Sequence, residues 1–146
     1  EPYMRYSGKG LIVLCRTSNP GGADLQAQTL DGGELLYERI ARLAAGEWNR
    51  GGQMALVVGA TYPQEIARVR AIAPTLPLLI PGVGAQGGDA VATIRAGYRA
   101  EGGITHGPVI VNSSRAVLYA SSGDDFAAAA RREALRTREV LNAAKA

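Results

Sequence analysis

Leu78-Leu79-Ile80-Pro81-Gly82-Val83-Gly84-Ala85-Gln86-Gly87-Gly88-Asp89 decides the fold, because a short apolar strand runs directly into a glycine-rich loop and the loop into a helix start. Glycines let a backbone turn tightly and approach a ligand, and the unpaired N–H groups of a helix's first turn favour negative charge. A phosphate is the guest such a segment predicts. Further along, Val109-Ile110-Val111-Asn112-Ser113-Ser114-Arg115 repeats the arrangement, a strand ending in small polar residues and a guanidinium suited to bidentate phosphate contact. Two neighbouring strand ends are therefore expected to converge on one anion.

Working outward, two more apolar runs of strand length come earlier, Gly10 to Cys15 and Ala55 to Gly59. All four are continuous rather than alternating, the pattern of parallel strands covered on both faces. A helical pattern follows each. Leu36, Ile40, Leu43 and Ala44 form one stripe; Pro63 opens a second, through Ile66, Val69, Arg70 and Ile72. Asp89 caps a third, through Val91 and Ile94, and Asp124 or Asp125 starts a long last helix through Phe126, Ala130, Ala134, Leu135 and Leu141. Four consecutive βα units imply an α/β fold with a parallel sheet and helical crossovers. No linker divides residues 1–146, which read as one domain or a large piece of one, and the start at Glu1, just ahead of a strand, predicts a segment cut from a larger protein.

Composition narrows the function. The net charge is only +3, and Arg131, Arg132, Arg136 and Arg138 on the last helix are interleaved with Glu133 and Glu139, a solvated face rather than a nucleic-acid footprint. No apolar run approaches the roughly 18 residues of a membrane span and no signal peptide opens the chain, so a cytoplasmic location is the expectation. Cys15 is the one cysteine, which excludes an intrachain disulfide and a cysteine-rich metal site; on a strand, with no His or Lys nearby, it reads as a buried inert thiol. Asp24 reads as a helix cap, and His106, in the polar stretch 102–107, as an exposed loop residue.

Gly82, Gly84 and Gly87 also fit the dinucleotide fingerprint G-x-G-x-x-G, which supports an NADP-binding α/β domain as an alternative. A nicotinamide site wants an acidic residue near the end of the next strand, whereas this one ends Asn112-Ser113-Ser114-Arg115; Arg115 suits only a 2′-phosphate. Pro81 in the turn is a second mismatch. In a (β/α)₈ barrel, phosphate commonly lies between the loops after strands seven and eight, which fits two consecutive phosphate-type loops near the end of this chain.

Leu14 to Asp24 (Leu-Cys-Arg-Thr-Ser-Asn-Pro-Gly-Gly-Ala-Asp), Val57 to Thr61 (Val-Val-Gly-Ala-Thr), Ile80 to Asp89 and Val111 to Arg115 together resemble orotidine 5′-phosphate decarboxylase, in its longer bacterial branch. The likeness covers nearly the whole chain in order. It implies the C-terminal half of a (β/α)₈ TIM barrel, strands five to eight, from a carboxy-lyase of pyrimidine biosynthesis. By the same resemblance Ser18 would hydrogen-bond the pyrimidine, with Thr17 taking its place if the register differs by one. Pro81, Gly82, Val83, Gly84 and Gln86 would line the nucleotide pocket, with Gln86 reaching the 5′-phosphate, and Ser114 and Arg115 would grip that phosphate. The implied enzyme is a homodimer that uses no metal or cofactor and takes orotidine or uridine 5′-phosphate.

One departure bears on activity. The family's Asp-x-Lys-x-x-Asp motif is absent from these residues: Lys9 and Lys145 lack the flanking aspartates, so no catalytic residue is assigned here. The isolated chain is expected to bind nucleotide phosphate weakly and not to decarboxylate. A barrel cut between strands four and five leaves two unpaired edges and an uncovered inner face, so the chain is expected to aggregate, pair with a second copy or need the missing N-terminal half. A non-catalytic, phosphate-binding half-barrel is the remaining alternative.

Overall fold

A computed structural model describes residues 2–84 and 88–145. After a 3₁₀ turn at Pro2–Arg5 come β1 (Leu11–Arg16), α1 (Gly22–Gln26), α2 (Leu36–Ala45), β2 (Met54–Val58) and α3 (Pro63–Ile72). There follow β3 (Leu78–Pro81), α4 (Ala90–Gly97), β4 (Arg99–Glu101), β5 (Ile104–Gly107), β6 (Val109–Asn112), α5 (Arg115–Leu118) and α6 (Phe126–Ala143). The expected strands and helices lie where their apolar patterns place them. Pro63 occupies the first turn of α3, where its missing N–H costs nothing, and Asp89 caps α4 by accepting from the Ala92 N–H at 2.7 Å.

β1, β2, β3 and β6 form one parallel sheet in that order, leaving β1 and β6 as its edges. Its two faces have opposite fates. On one, Cys15, Leu56, Val58, Leu78 and Ile80 are sealed by Tyr37, Ala41 and Ala44 of α2 and Ile66 and Val69 of α3. On the other, Leu14, Val57, Leu79 and Ile110 stand side by side in register as a row of apolar residues. That face is open among the described residues: Leu14 is 56% and Ile110 51% exposed at the ends of the row, with Ile12 of the same face 48% exposed, while the central Val57 and Leu79 are half-buried between their neighbours. Strands written for burial on both faces are buried on one, as half of a barrel would be.

Several details differ from the sequence reading. The stretch around His106 is not a loop but the second strand of an antiparallel hairpin, β4 with β5, turned by Gly102 and Gly103. The short strands lack the apolar alternation that marks a hairpin, and His106 remains exposed. Asp24 is not a cap; it lies within the first turn of α1, whose N-cap is Gly21. Asp125 precedes α6, but its carboxylate accepts from Ser121 and Arg132 rather than from the helix's own N–H groups. No described helix is long and apolar enough to cross a membrane.

Glu38 of α2 is largely buried and joins two elements, accepting from Arg68 Nε of α3 at 2.6 Å and from the Leu35 N–H at 3.2 Å. The Arg68 hydrogen bond holds its pKa below the ordinary carboxylate value, more than offsetting the opposing effect of burial. A carboxylate whose folded pKa is lowered stabilises fully above its unfolded value of about 4.3 and loses that contribution as pH falls through the folded one. Glu38→Gln is therefore expected to melt below the parent at about pH 7, with the gap closing as the pH falls below about 4 and through the folded pKa. A gap of constant size across that range in thermal melts would assign the difference to packing.

Candidate functional site

The carboxyl ends of the strands gather the residues that sequence reading singled out. Gly59 and Ala60, just past β2, tie the flanking strand ends together: the Gly59 N–H donates to the Arg16 carbonyl at 2.8 Å and the Ala60 N–H to the Pro81 carbonyl at 2.9 Å. Gly59 has to be glycine, since a Cβ there would lie 2.7 Å from the Ser18 nitrogen and 2.8 Å from its Cβ. The result is an open groove of about 560 Å³ on the uncovered side of the sheet, lined by Leu14, Thr17, Ser18, Asn19, Pro20, Val57 and Pro81. Ser18 and Pro81 thus share one cavity, with apolar side chains as its floor. Such a cavity suits a flat, partly polar ring read by a few placed groups.

Thr17 also borders the groove, but its hydroxyl is turned to Gln26 Oε1, 3.1 Å away, and its N–H donates to the same oxygen at 2.8 Å. A register shift between Leu14 and Arg16 produces the arrangement. Simple alternation would send Arg16 into the barrel with Ile12 and Leu14, whereas the irregularity turns it to the helix side, where it is 3% exposed. There it forms a two-pronged ion pair with Glu65, at 2.7 and 3.1 Å, and lies over the Tyr62 ring. Sequence reasoning missed this network; an arginine closing an apolar strand, with a glutamate in the first turn of α3, was its only trace.

The glycine-rich loop leaves β3 with Gly82 and Gly84 at φ +97° and +75°, values that only glycine adopts without strain. It then closes on itself: the Gly84 N–H donates to the Gly88 carbonyl at 2.9 Å, and the Gly88 N–H to the Gly82 carbonyl at 3.1 Å. At the start of α4 the Asp89 carboxylate accepts from the Ala92 N–H, so one of the first-turn N–H groups is capped by a side chain. The Val83 side chain enters the hydrophobic core while Gly84 stays exposed. Gln86 lies outside the described residues.

β6 runs beside β3 in register up to the pair Pro81 and Asn112, so the loop at 82–84 and the turn at 113–115 leave adjacent strand ends. Ser113 and Gly84 border one crevice of about 190 Å³ there. Ser114 is the N-cap of α5 and Arg115 its first residue; both are exposed. The Arg115 side chain makes no hydrogen bond or ion pair with another described residue. Ser114 and Arg115 do not border the groove that holds Ser18; they follow the end of β6, whose Asn112 pairs with Pro81 of that groove.

Cys15 is fully buried, donates from Sγ to the Tyr37 carbonyl at 3.2 Å, and has its pKa pushed up to about 12 by burial. It is an inert thiol.

Residues 2–132 match the family described as orotidine 5′-phosphate decarboxylase / HUMPS. The chain belongs to that family. It is 72% identical to an orotidine 5′-phosphate decarboxylase of Polaromonas naphthalenivorans (strain CJ2), over 99% of this chain and 51% of the relative. A relative of the same name from Albidiferax ferrireducens is 67% identical, over 99% of this chain and 54% of its own. The chain thus spans about half the length of the curated relatives it matches. Among solved structures, UMP synthase of Leishmania donovani superposes with a TM-score of 0.81 at 44% identity, over 99% of this chain and 30% of that one. The four-stranded sheet with one bare face is accordingly a portion of the decarboxylase barrel.

Proposed function

We propose that this chain is the C-terminal half of an orotidine 5′-phosphate decarboxylase, contributing the pyrimidine wall and the 5′-phosphate grip while the N-terminal half of the barrel carries the catalytic Asp-x-Lys-x-x-Asp motif. The reading rests on the shared groove of Ser18 and Pro81, beside a strand end that presents Arg115 without a partner among the described residues. In the reaction the bond from the ring to the carboxylate breaks, CO₂ leaves, and the ring carbon that keeps the electron pair takes a proton. A preorganised cation and a proton donor serve that carbon, and both belong to the other half. Here Ser18 reads the pyrimidine edge, and Gln86, Ser114 and Arg115 hold the phosphate, whose binding energy orients the reacting ring. In the cell the working unit is a cytoplasmic homodimer of the complete barrel that takes orotidine 5′-phosphate and needs no cofactor. A dinucleotide is disfavoured because Asp89 occupies the helix terminus on which its pyrophosphate would rest.

Titration with uridine 5′-phosphate and with uridine, alone and after mixing with a segment bearing the first four strands, tests the reading. Phosphate-dependent binding is expected in both states, and decarboxylation of orotidine 5′-phosphate only on mixing. Arg115→Met should weaken uridine 5′-phosphate binding by about 10- to 100-fold, as loss of a charge-assisted contact does, and leave uridine unaffected. Equal binding of nucleotide and nucleoside by the parent would remove the phosphate grip from Ser114 and Arg115.

A further inference from the structure

Gln26 stands outside the groove, on the last turn of the five-residue α1, yet its side-chain oxygen is the point on which the end of β1 converges. That one oxygen accepts the Thr17 N–H at 2.8 Å, the Thr17 hydroxyl at 3.1 Å and Arg16 Nη1 at 3.3 Å. Arg16 is itself immobilised by its two-pronged pair with Glu65 and by the Tyr62 ring, so Gln26 is braced against α3 through a buried cation. No space is left for adjustment. A Cβ on Gly22 would lie 2.6 Å from the Thr17 hydroxyl, 2.7 Å from Arg16 Nη1 and 3.1 Å from Gln26 Oε1. On the other flank, Gly59 presses against the Ser18 backbone. Ser18 is thus held between a glycine on one side and, through Thr17, a glutamine clamp on the other.

We propose that Gln26, backed by Arg16 and Glu65, is a positioning residue for pyrimidine selection: it fixes the Thr17 backbone and hydroxyl, and so aims Ser18 at the ring. This rests on the assignment of Ser18 as the pyrimidine reader. Because the clamp sits at the end of β1 and the phosphate-type residues leave β3 and β6, loosening it should affect recognition of the base and spare recognition of the phosphate. Gln26 is half-buried, so replacing its amide with an isosteric apolar chain removes the acceptor without opening a core cavity.

The test compares uridine 5′-phosphate with ribose 5-phosphate in calorimetric titrations of this chain and its variants. In the parent, the base should make the nucleotide bind at least tenfold tighter than the sugar phosphate. Gln26→Met is expected to bring that ratio close to one with ribose 5-phosphate affinity unchanged, and Gln26→Glu, which keeps an acceptor in place, to preserve it. Thr17→Val removes only the hydroxyl bond; an intermediate ratio is expected, and it decides the matter if Gln26→Met does not fold. A full parental ratio in Gln26→Met, or in Thr17→Val where that variant decides, would overturn the clamp and leave the Ser18 reading intact. A parental chain that binds ribose 5-phosphate as tightly as the nucleotide would overturn Ser18 as base reader, and the clamp with it.

Discussion

Arg70→Met should destabilise the fold by on the order of 3 to 5 kcal/mol, enough to lower the melting temperature by roughly 10 °C or more in a domain of this size. Arg70 is 2% exposed and, among the described residues, its side chain pairs with no carboxylate. Its guanidinium instead reaches five carbonyl oxygens: Gly97 at 2.6 Å, Ala73 at 3.0 Å, Pro74 at 3.2 Å, Leu76 at 2.6 Å and Pro108 at 3.1 Å. Ala73 and Gly97 end α3 and α4, where unpaired carbonyls concentrate negative potential, and Leu76 and Pro108 lead into β3 and β6. One side chain therefore fastens two helix ends to two strand starts at the end of the sheet opposite the groove. Gly107 gives it room, since a Cβ there would approach the guanidinium carbon to 2.9 Å. Burial, with a smaller push from Arg99, lowers the Arg70 pKa to about 10, so the group remains cationic at neutral pH. Arg70→Lys keeps the charge but not the planar fork and should lose an intermediate amount. Urea unfolding followed by circular dichroism measures both; a loss below about 1 kcal/mol for Arg70→Met would show that the carbonyls find other partners.

Arg70 also marks where sequence reasoning stops. It stood in the apolar stripe of α3 beside Ile66 and Val69, and the stripe located the helix correctly, yet no local pattern says that five carbonyls from three stretches of chain meet at one position. The strands and main helices were legible because β-branched runs and 3.6-residue spacing are local signals. The hairpin at 99–107 was not, since Arg99-Ala100-Glu101 and Ile104-Thr105-His106 carry no alternation and only Gly102-Gly103 hinted at a turn. At the site, Ser18 and Pro81 were legible as strand-end residues. The turn of Arg16 towards α3 was hidden, because a bulge reverses alternation without altering composition. Asp89 was legible as the cap of α4, and it accepts from the Ala92 N–H there.

The uncovered face yields the other large effect. Ile110→Asp should leave the secondary structure of the isolated chain nearly unchanged, because Ile110 is 51% exposed there and sits on the edge strand β6. In the complete barrel the same position becomes interior. Leu14, Val57, Leu79 and Ile110 form one row in register across the four strands; the inner space of an eight-stranded parallel barrel is filled by layers whose side chains come from alternate strands, so such a row supplies neighbouring layers, and Ile110 would belong to one of them. An aspartate in that layer must either take up a proton and become neutral or stay ionised without a partner, at a cost of several kcal/mol. Assembly with the N-terminal half should therefore weaken by about a thousandfold, the equivalent of about 4 kcal/mol, and reconstituted decarboxylation at fixed concentrations should fall with it. Ile110→Val, which stays apolar and removes one methylene, should assemble within about tenfold of the parent. The contrast separates packing from chemistry, because Ile110 lies outside the groove and neither substitution alters Ser18 or Arg115. If Ile110→Asp assembles as tightly as the parent, the face remains open to water in the working protein, and its cover is not a second half-barrel.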